Sequence, residues 1–405
     1  MISIQLALCL VTKANLSYRS IPRVFKALNQ TLNLGLKEPT HTTVLIWMKK
    51  QGVANFKDKS FFQGKKWFLI IDESIQFGNK KLLSVMAVLS SPLRTKALTY
   101  LDLIPLVLKS STSWKSEQIK QEIINSIDVK DVEYVVCDNG NNLKSTCSIL
   151  DLAHIEDVNH KFSGFIKNIY EKDPIFESYT KHLSGMRGKL SLSKFAHLIP
   201  PSQRIISRFM NLTPLFVWGD KTLKLIESKK LNAQEFEKVA FLLSYKAFIK
   251  DTLMILNTLN LIQRKLKTNH FNQVQVNECL LELKNLKSAK GLLIAEKMRS
   301  YFEITSAKLN PDKQLVCSSD IVESCFGKYK EVVRLNKTIG VSDICLSISC
   351  LTNNGDIKEL KRALEKTKMK DVKRWSKENI GETLFKKRKA LYSEIRENKN
   401  IKTAA

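Results

Sequence analysis

Three acidic residues stand where a fold can hold a carboxylate still. Asp72 closes the apolar run Trp67–Asp72 (WFLIID), and Asp138 follows the run Val132–Cys137 (VEYVVC). Glu323 lies in SSDIVESCFGKYK, near the start of a helix expected over Ser319–Arg334. One Asp at the end of an apolar run means little, because strands often finish in a solvated carboxylate. Three in this order mean more: adjacent strands would set the first two side by side, and a returning helix would add the third. Phosphodiester chemistry needs such a cluster. Carboxylates there hold two Mg²⁺ ions about 4 Å apart, one activating the attacking oxygen and the other stabilising the leaving one. Hard divalent ions prefer carboxylate and water oxygens to His or Cys, so the expected cofactor is a pair of Mg²⁺ or Mn²⁺ ions. Without metal, close like charges would repel, which argues against a purely structural trio.

Other residues are weighed against these. Lys330 falls seven residues after Glu323, nearly two helical turns, hence on the same face, where it would contact a phosphate or simply be solvated. Asp320, one turn before Glu323, is either a helix N-terminal acid or an alternative third ligand. Glu73 should point to the face of the strand opposite Asp72. Asp157 and His160 (IEDVNHK) offer a supporting role, or capping and packing. Trp218, in LFVWGDK, is a candidate for base stacking but sits among Leu215, Phe216 and Val217 as a core residue would. His182 and His197 have no partner at ligand spacing.

The elements that must position these groups follow from periodicity. Three short helices are expected first. One starts at Ile2 and ends near Asn15, and a second covers Ile21–Asn29 with Pro22 in its first turn. The third covers Thr42–Gln51 and stops at Gly52. A strand Trp67–Asp72 then pairs with Leu82–Leu89 across Phe77–Lys81, and Ala97–Leu108 supplies a third. A helix over Trp114–Ile127, capped by Ser113, precedes the strand Val132–Cys137. A helix Asn142–Leu150 and a strand His154–Asp157 complete the set. Val158–Leu309 reads as helical almost throughout, with long segments at Gln234–Thr268 and Asn272–Lys308 and no proline between Pro214 and Pro311. The tail from Lys358 is helical and basic.

Charge narrows the partners. Sixty-six Lys and Arg against 39 Asp and Glu give +27 over 405 residues. Residues 1–66 carry 11 basic and two acidic side chains, and residues 358–405 carry 16 against seven. Such a surplus, concentrated at both ends, points to a polyanion such as DNA, which is bound through counterion release. The eight cysteines form no CxxC and sit near no His at zinc spacing, which fits a reducing cytoplasm. The apolar opening Met1–Val11 is short and lacks a basic start and a cleavage site, so no signal peptide is expected. No apolar run approaches the length of a spanning helix, so no membrane partner is expected either.

The order of three antiparallel strands, helix, strand, helix and strand is similar to that of the ribonuclease-H-like fold. With LIIDES, VEYVVCDNG and SSDIVESCFGKYK, the chain resembles DDE transposases of the bacterial insertion-sequence type. The acids are separated by 66 and 185 residues. The longer interval resembles members in which a helical insertion separates the fifth strand from the last helix. A Tyr-Arg-Glu-Lys pattern found in one branch is absent, since Val316 and Ser319 stand at its first two positions. The resemblance implies an α/β ribonuclease-H-like core at 67–157 and 316–357, an all-helical insertion at 158–315, a helix-turn-helix at 1–56 and a basic helical tail at 358–405. It implies that Asp72, Asp138 and Glu323 are catalytic and bind metal. A helix-turn-helix would set its third helix in the major groove, offering His41, Thr42, Thr43, Lys49 and Lys50 to DNA. The implied partners are double-stranded DNA, as element ends and target, and a second copy forming a homodimer on paired ends. The implied location is cytoplasmic, associated with the nucleoid when DNA is bound. Two alternatives stay open: a nuclease or resolvase on the same fold, and a transposase-derived DNA-binding protein that has lost catalysis.

Overall fold

The computed structural model describes residues 1–75, 78–91, 94, 96–203, 208–308, 313–333, 338–352 and 356–403. The chain divides into two compact units, the first built from Met1–Ser90, Leu98–Ile155 and Ser319–Ala405, the second from Ser91–Ala97 and Glu156–Ser318.

The first unit opens with α1 (Ile2–Thr12), α2 (Ile21–Leu32) and α3 (His41–Ala54). Pro22 occupies the first turn of α2, and Thr40 caps α3 by accepting from the Thr43 amide at 3.2 Å. Strands β1 (Trp67–Ile75) and β2 (Lys81–Leu89) follow, antiparallel to each other. Phe77, in the expected hairpin connection, lies outside the described residues. Strand β3 (Leu103–Ser111) begins later than expected, because Thr99 donates its amide and hydroxyl to Asp102 at 2.8 Å and closes a 3₁₀ turn over Tyr100–Asp102. Helix α4 (Ser116–Ser126) also starts late: Trp114 is drawn into the core instead of the helix. Then come β4 (Val132–Cys137), α5 (Asn141–Ile149) and β5 (Ala153–Glu156).

The sheet is mixed and five-stranded, in the order β3-β2-β1-β4-β5. β1 is antiparallel to β2 and parallel to β4, and β3 is antiparallel to β2. Pro105 is tolerated because β3 is an edge strand, and the register shifts beside it. Trp67, Leu69, Ile71, Val135 and Cys137 point to one face and pack with Ile119 and Ile123 of α4 and Leu143 and Cys147 of α5. Each such buried side chain contributes roughly 1.5–3 kcal/mol by leaving water. Phe68 and Tyr134 point to the other face and stack at 4.8 Å between centroids.

The second unit is helical, with α6 (Val158–Tyr170), α7 (Pro174–Leu190), α8 (Thr213–Glu227), α9 (Ala233–Val239), α10 (Lys246–Asn269), α11 (Gln273–Leu283) and α12 (Ala289–Ser306). The two long helical segments expected here are both interrupted. A 3₁₀ stretch over Ala240–Tyr245 separates α9 from α10. Ser288 starts α12 afresh by accepting from the Gly291 amide at 3.0 Å. Leu309, the expected end of the helical stretch, lies outside the described residues. Tyr170, Phe176, Tyr179 and Phe216 fill the core of this unit. Its two ends meet: the Val158 amide donates to the Cys317 carbonyl at 2.9 Å.

The chain then returns to the first unit through α13 (Asp320–Val333), α14 (Leu346–Leu351), α15 (Ile357–Lys366), α16 (Met369–Asn379) and α17 (Leu384–Thr403). Arg334, the expected end of the first of these helices, lies outside the described residues. Helix α3 packs on α14, α15 and α16 around Met48, Leu346, Cys350, Leu360 and Val372. Gly52 does not stop α3; a Cβ there would lie 2.7 Å from the Leu346 carbonyl oxygen, so the glycine admits α14. No described helix is long and apolar enough to cross a membrane.

Candidate active site

The parallel register of β1 and β4 decides where the two aspartates stand. Ile70 is opposite Val136 and Ile71 opposite Cys137, so Asp72 and Asp138 are the next residue on each neighbouring strand. Alternation puts Asp72 on the face shared by Phe68 and Tyr134, whereas Asp138 stands just past the end of β4, beside the start of α5. Adjacent strands lie about 4.8 Å apart, so the two residues start from neighbouring stretches of backbone. Both residues are half-buried. Asp72 Oδ1 accepts from the Glu73 amide at 2.7 Å, and Asp138 Oδ1 from the Gly140 amide at 2.9 Å, which orients each carboxylate.

Glu323 is in the first turn of α13, with Asp320 one turn ahead. Helix α13 packs against β1 and α14. Its buried side, Val322, Cys325, Phe326 and Tyr329, is not part of the layer formed by α4 and α5. The helix is also tied from outside. The Tyr100 hydroxyl hydrogen-bonds Ser324 Oγ at 2.6 Å, next to Glu323. Lys328 lies over the Tyr100 ring at 4.6 Å and donates to the Thr12 carbonyl at 2.9 Å. Nothing in the sequence flagged Tyr100, because its partner is 224 residues away. Asp72, Asp138 and Glu323 each offer carboxylate oxygen, the donor that a hard divalent ion selects, but their ligand atoms do not all lie within 4.8 Å of one another.

Glu73 points to the opposite face, as alternation requires. Its carboxylate accepts from Asn142 Nδ2 at 2.8 Å and pairs with Lys81 at 3.3 Å. Asp157 is fully buried and caps α6, accepting from the Asn159 and His160 amides at 2.8 and 2.9 Å. Trp218 lies partly buried on α8, and Lys330 is exposed on α13.

The residues expected to meet DNA from α3 are placed differently from one another. Thr42 and His41 are exposed, whereas the Thr43 hydroxyl lies 2.8 Å from Thr40 Oγ1 within the cap. Lys49 pairs with Asp343 at 2.7 Å, and Lys50 donates to the Leu364 carbonyl at 2.6 Å. Both lysines therefore contribute to the packing of α3 on the C-terminal segments. His182 hydrogen-bonds the Tyr245 hydroxyl at 2.7 Å, and His197 pairs with Glu235 at 2.9 Å.

No protein-family model matches the chain, and no curated protein matches it. Among solved structures the chain is similar to one described as the Drosophila P element transposase strand transfer complex. The two are 13% identical with a TM-score of 0.44, over 88% of this chain and 92% of that one.

Proposed function

We propose that the chain is a DDE-type transposase: its ribonuclease-H-like core cleaves DNA at the ends of an element and joins the freed strand to a target. The observation that carries this reading is the parallel β1/β4 register, which ends at Ile71 opposite Cys137, the residues just before Asp72 and Asp138. The packing of α13, which bears Glu323, against β1 supports the third member. Asp72, Asp138 and Glu323 would hold Mg²⁺ or Mn²⁺, which supplies an activated oxygen nucleophile and charge stabilisation of the leaving oxygen. The protein's own contribution is to orient the carboxylates, through the amides of Glu73 and Gly140, and to bind a polyanion with its +27 charge. In this reading residues 1–56, Thr42 and Thr43 among them, or the basic tail contact duplex DNA, and Lys330 on α13 meets a phosphate, while Lys49 and Lys50 are held in packing. Two copies act on paired ends.

The test is Mg²⁺-dependent nicking and strand joining on labelled DNA carrying the ends that flank the gene. Asp72→Asn, Asp138→Asn and Glu323→Gln should each lower the nicking rate about a thousandfold, the several kcal/mol that metal assistance supplies. DNA affinity should persist in all three. Nicking without joining would favour a nuclease or resolvase. Full activity in Asp72→Asn would refute the assignment.

A further inference from the structure

Within the first unit a cavity of about 610 Å³ opens beside the start of α17. Its lining includes four cations, Lys49, Lys386, Arg388 and Lys389, against one carboxylate, Asp343. That carboxylate is already paired with Lys49. Arg388 lies across the wall, donating to the Thr338 carbonyl at 2.8 Å, an arrangement that fixes its guanidinium without neutralising it. Lys386 and Lys389 are exposed, and no carboxylate pairs with them among the described residues. The Ser342 hydroxyl also lines the cavity, shielded from solvent and without a hydrogen-bond partner. Phe385 stands at the same wall with 72% of its surface exposed. Uncompensated cations, a waiting hydroxyl and an open aromatic face are the combination that an unpaired nucleic-acid strand takes: phosphate on the charges, base on the ring.

We infer that this cavity is a strand-binding site, holding a backbone phosphate between Lys386, Arg388 and Lys389 with the neighbouring base against Phe385. A duplex is the poorer fit, because its bases are already stacked and offer the ring no face. The volume is that of a small-molecule pocket, so a free phosphate or mononucleotide shares the same chemistry and must be separated by experiment. The choice of DNA rests on the reading above, but the acids of that site play no part here.

The experiment measures fluorescence anisotropy of a labelled single strand of about 16 nucleotides, the upper range for such sites, with the full chain. Three variants are compared with wild type: Lys386→Ala/Lys389→Ala, Phe385→Ala, and Lys284→Ala/Lys287→Ala. The last removes the same charge from exposed positions in the other unit. The site variants should each weaken binding about fivefold or more. The site lysine pair should also flatten the dependence of log K on log salt by about 1.4, twice the single-strand increment per phosphate. Equal weakening in the Lys284/Lys287 control would reduce the effect to net charge and overturn the proposal, as would no change in the site variants. Strand binding that survives while inorganic phosphate or deoxyadenosine monophosphate loses binding in the same variants would assign the cavity to a small phosphate instead. Asp72→Asn keeps the two readings apart. If wild type never nicks but the site variants lose the strand, the active-site reading fails and this one stands.

Discussion

At the scale of single residues, Asp72 and Glu73 are chain neighbours with opposite fates. Strand alternation sends Asp72 to the face where α13 packs and Glu73 to the face of α4 and α5, where Asn142 and Lys81 engage it. Glu73→Gln should therefore leave nicking within about tenfold of wild type, a partly exposed ion pair being worth about 1 kcal/mol or less. Parallel rate measurements on Glu73→Gln and Asp72→Asn check this; a comparable loss in both would mean the face assignment is wrong. The strand Val132–Cys137 before Asp138 was legible in the sequence as an unbroken apolar run, whereas the run Trp67–Asp72 hid that β1 continues past Asp72 to Ile75. Lys49 and Lys50 were harder to read. A lysine on a helix reads as solvated, and neither Asp343 nor the Leu364 carbonyl, about three hundred residues on, gives a local signal.

At the scale of elements, Gly52 reads as a helix stop from the sequence alone, since glycine often follows the last helical turn. Its actual role is a close approach: α14 crosses there, with Ser349 Oγ bonding the Gly52 carbonyl and Asn55 Nδ2 donating to Ser349 at 2.6 Å. Gly52→Ala should destabilise the protein by about 1–3 kcal/mol through overpacking, with no gain from helix propensity. Thermal or urea unfolding of the purified variant measures it; a stabilised variant would contradict the contact. Caps were legible only in part. Thr40 capping α3 went unread, and the restart at Ser288 hid inside an otherwise continuous helical pattern.

His270 supplies a second prediction at this scale. It is 2% exposed, and its ring Nε2 lies 3.1 Å from the Lys96 carbonyl oxygen. Burial lowers its pKa, outweighing the hydrogen bond to the Lys96 carbonyl, which raises it, and the charge on Arg94 adds to the lowering. A folded-state pKa below the unfolded value means the unfolded chain takes up the proton first. The contribution of His270 is thus complete above the unfolded pKa of about 6.5 and lost as pH falls through the lowered folded value. Unfolding midpoints measured from pH 7.5 downward should decline less steeply in His270→Asn than in wild type, and identical slopes would remove His270 from the account.

At the scale of the whole molecule, the α/β core with its helical interruption was the most legible feature, because the switch of period from two to 3.6 survives averaging over many residues. The order β3-β2-β1-β4-β5 was not, since periodicity says nothing of which strands pair. The charge surplus was visible as a total, but the total concealed its distribution between packing and partner. Lys49 and Lys50 are spent inside the fold, while Lys386 and Lys389 remain outside it.

The hydrogen bond between Val158 and Cys317 has an architectural corollary. A segment that leaves and re-enters at points one hydrogen bond apart behaves as a detachable module, because its removal creates almost no gap to span. Replacing residues 158–317 with a few Gly and Ser should therefore give a soluble, cooperatively folding remnant, the short connection adding little closure entropy. Circular dichroism and a single unfolding transition would show it, and an aggregated remnant would show that the module also serves as a scaffold.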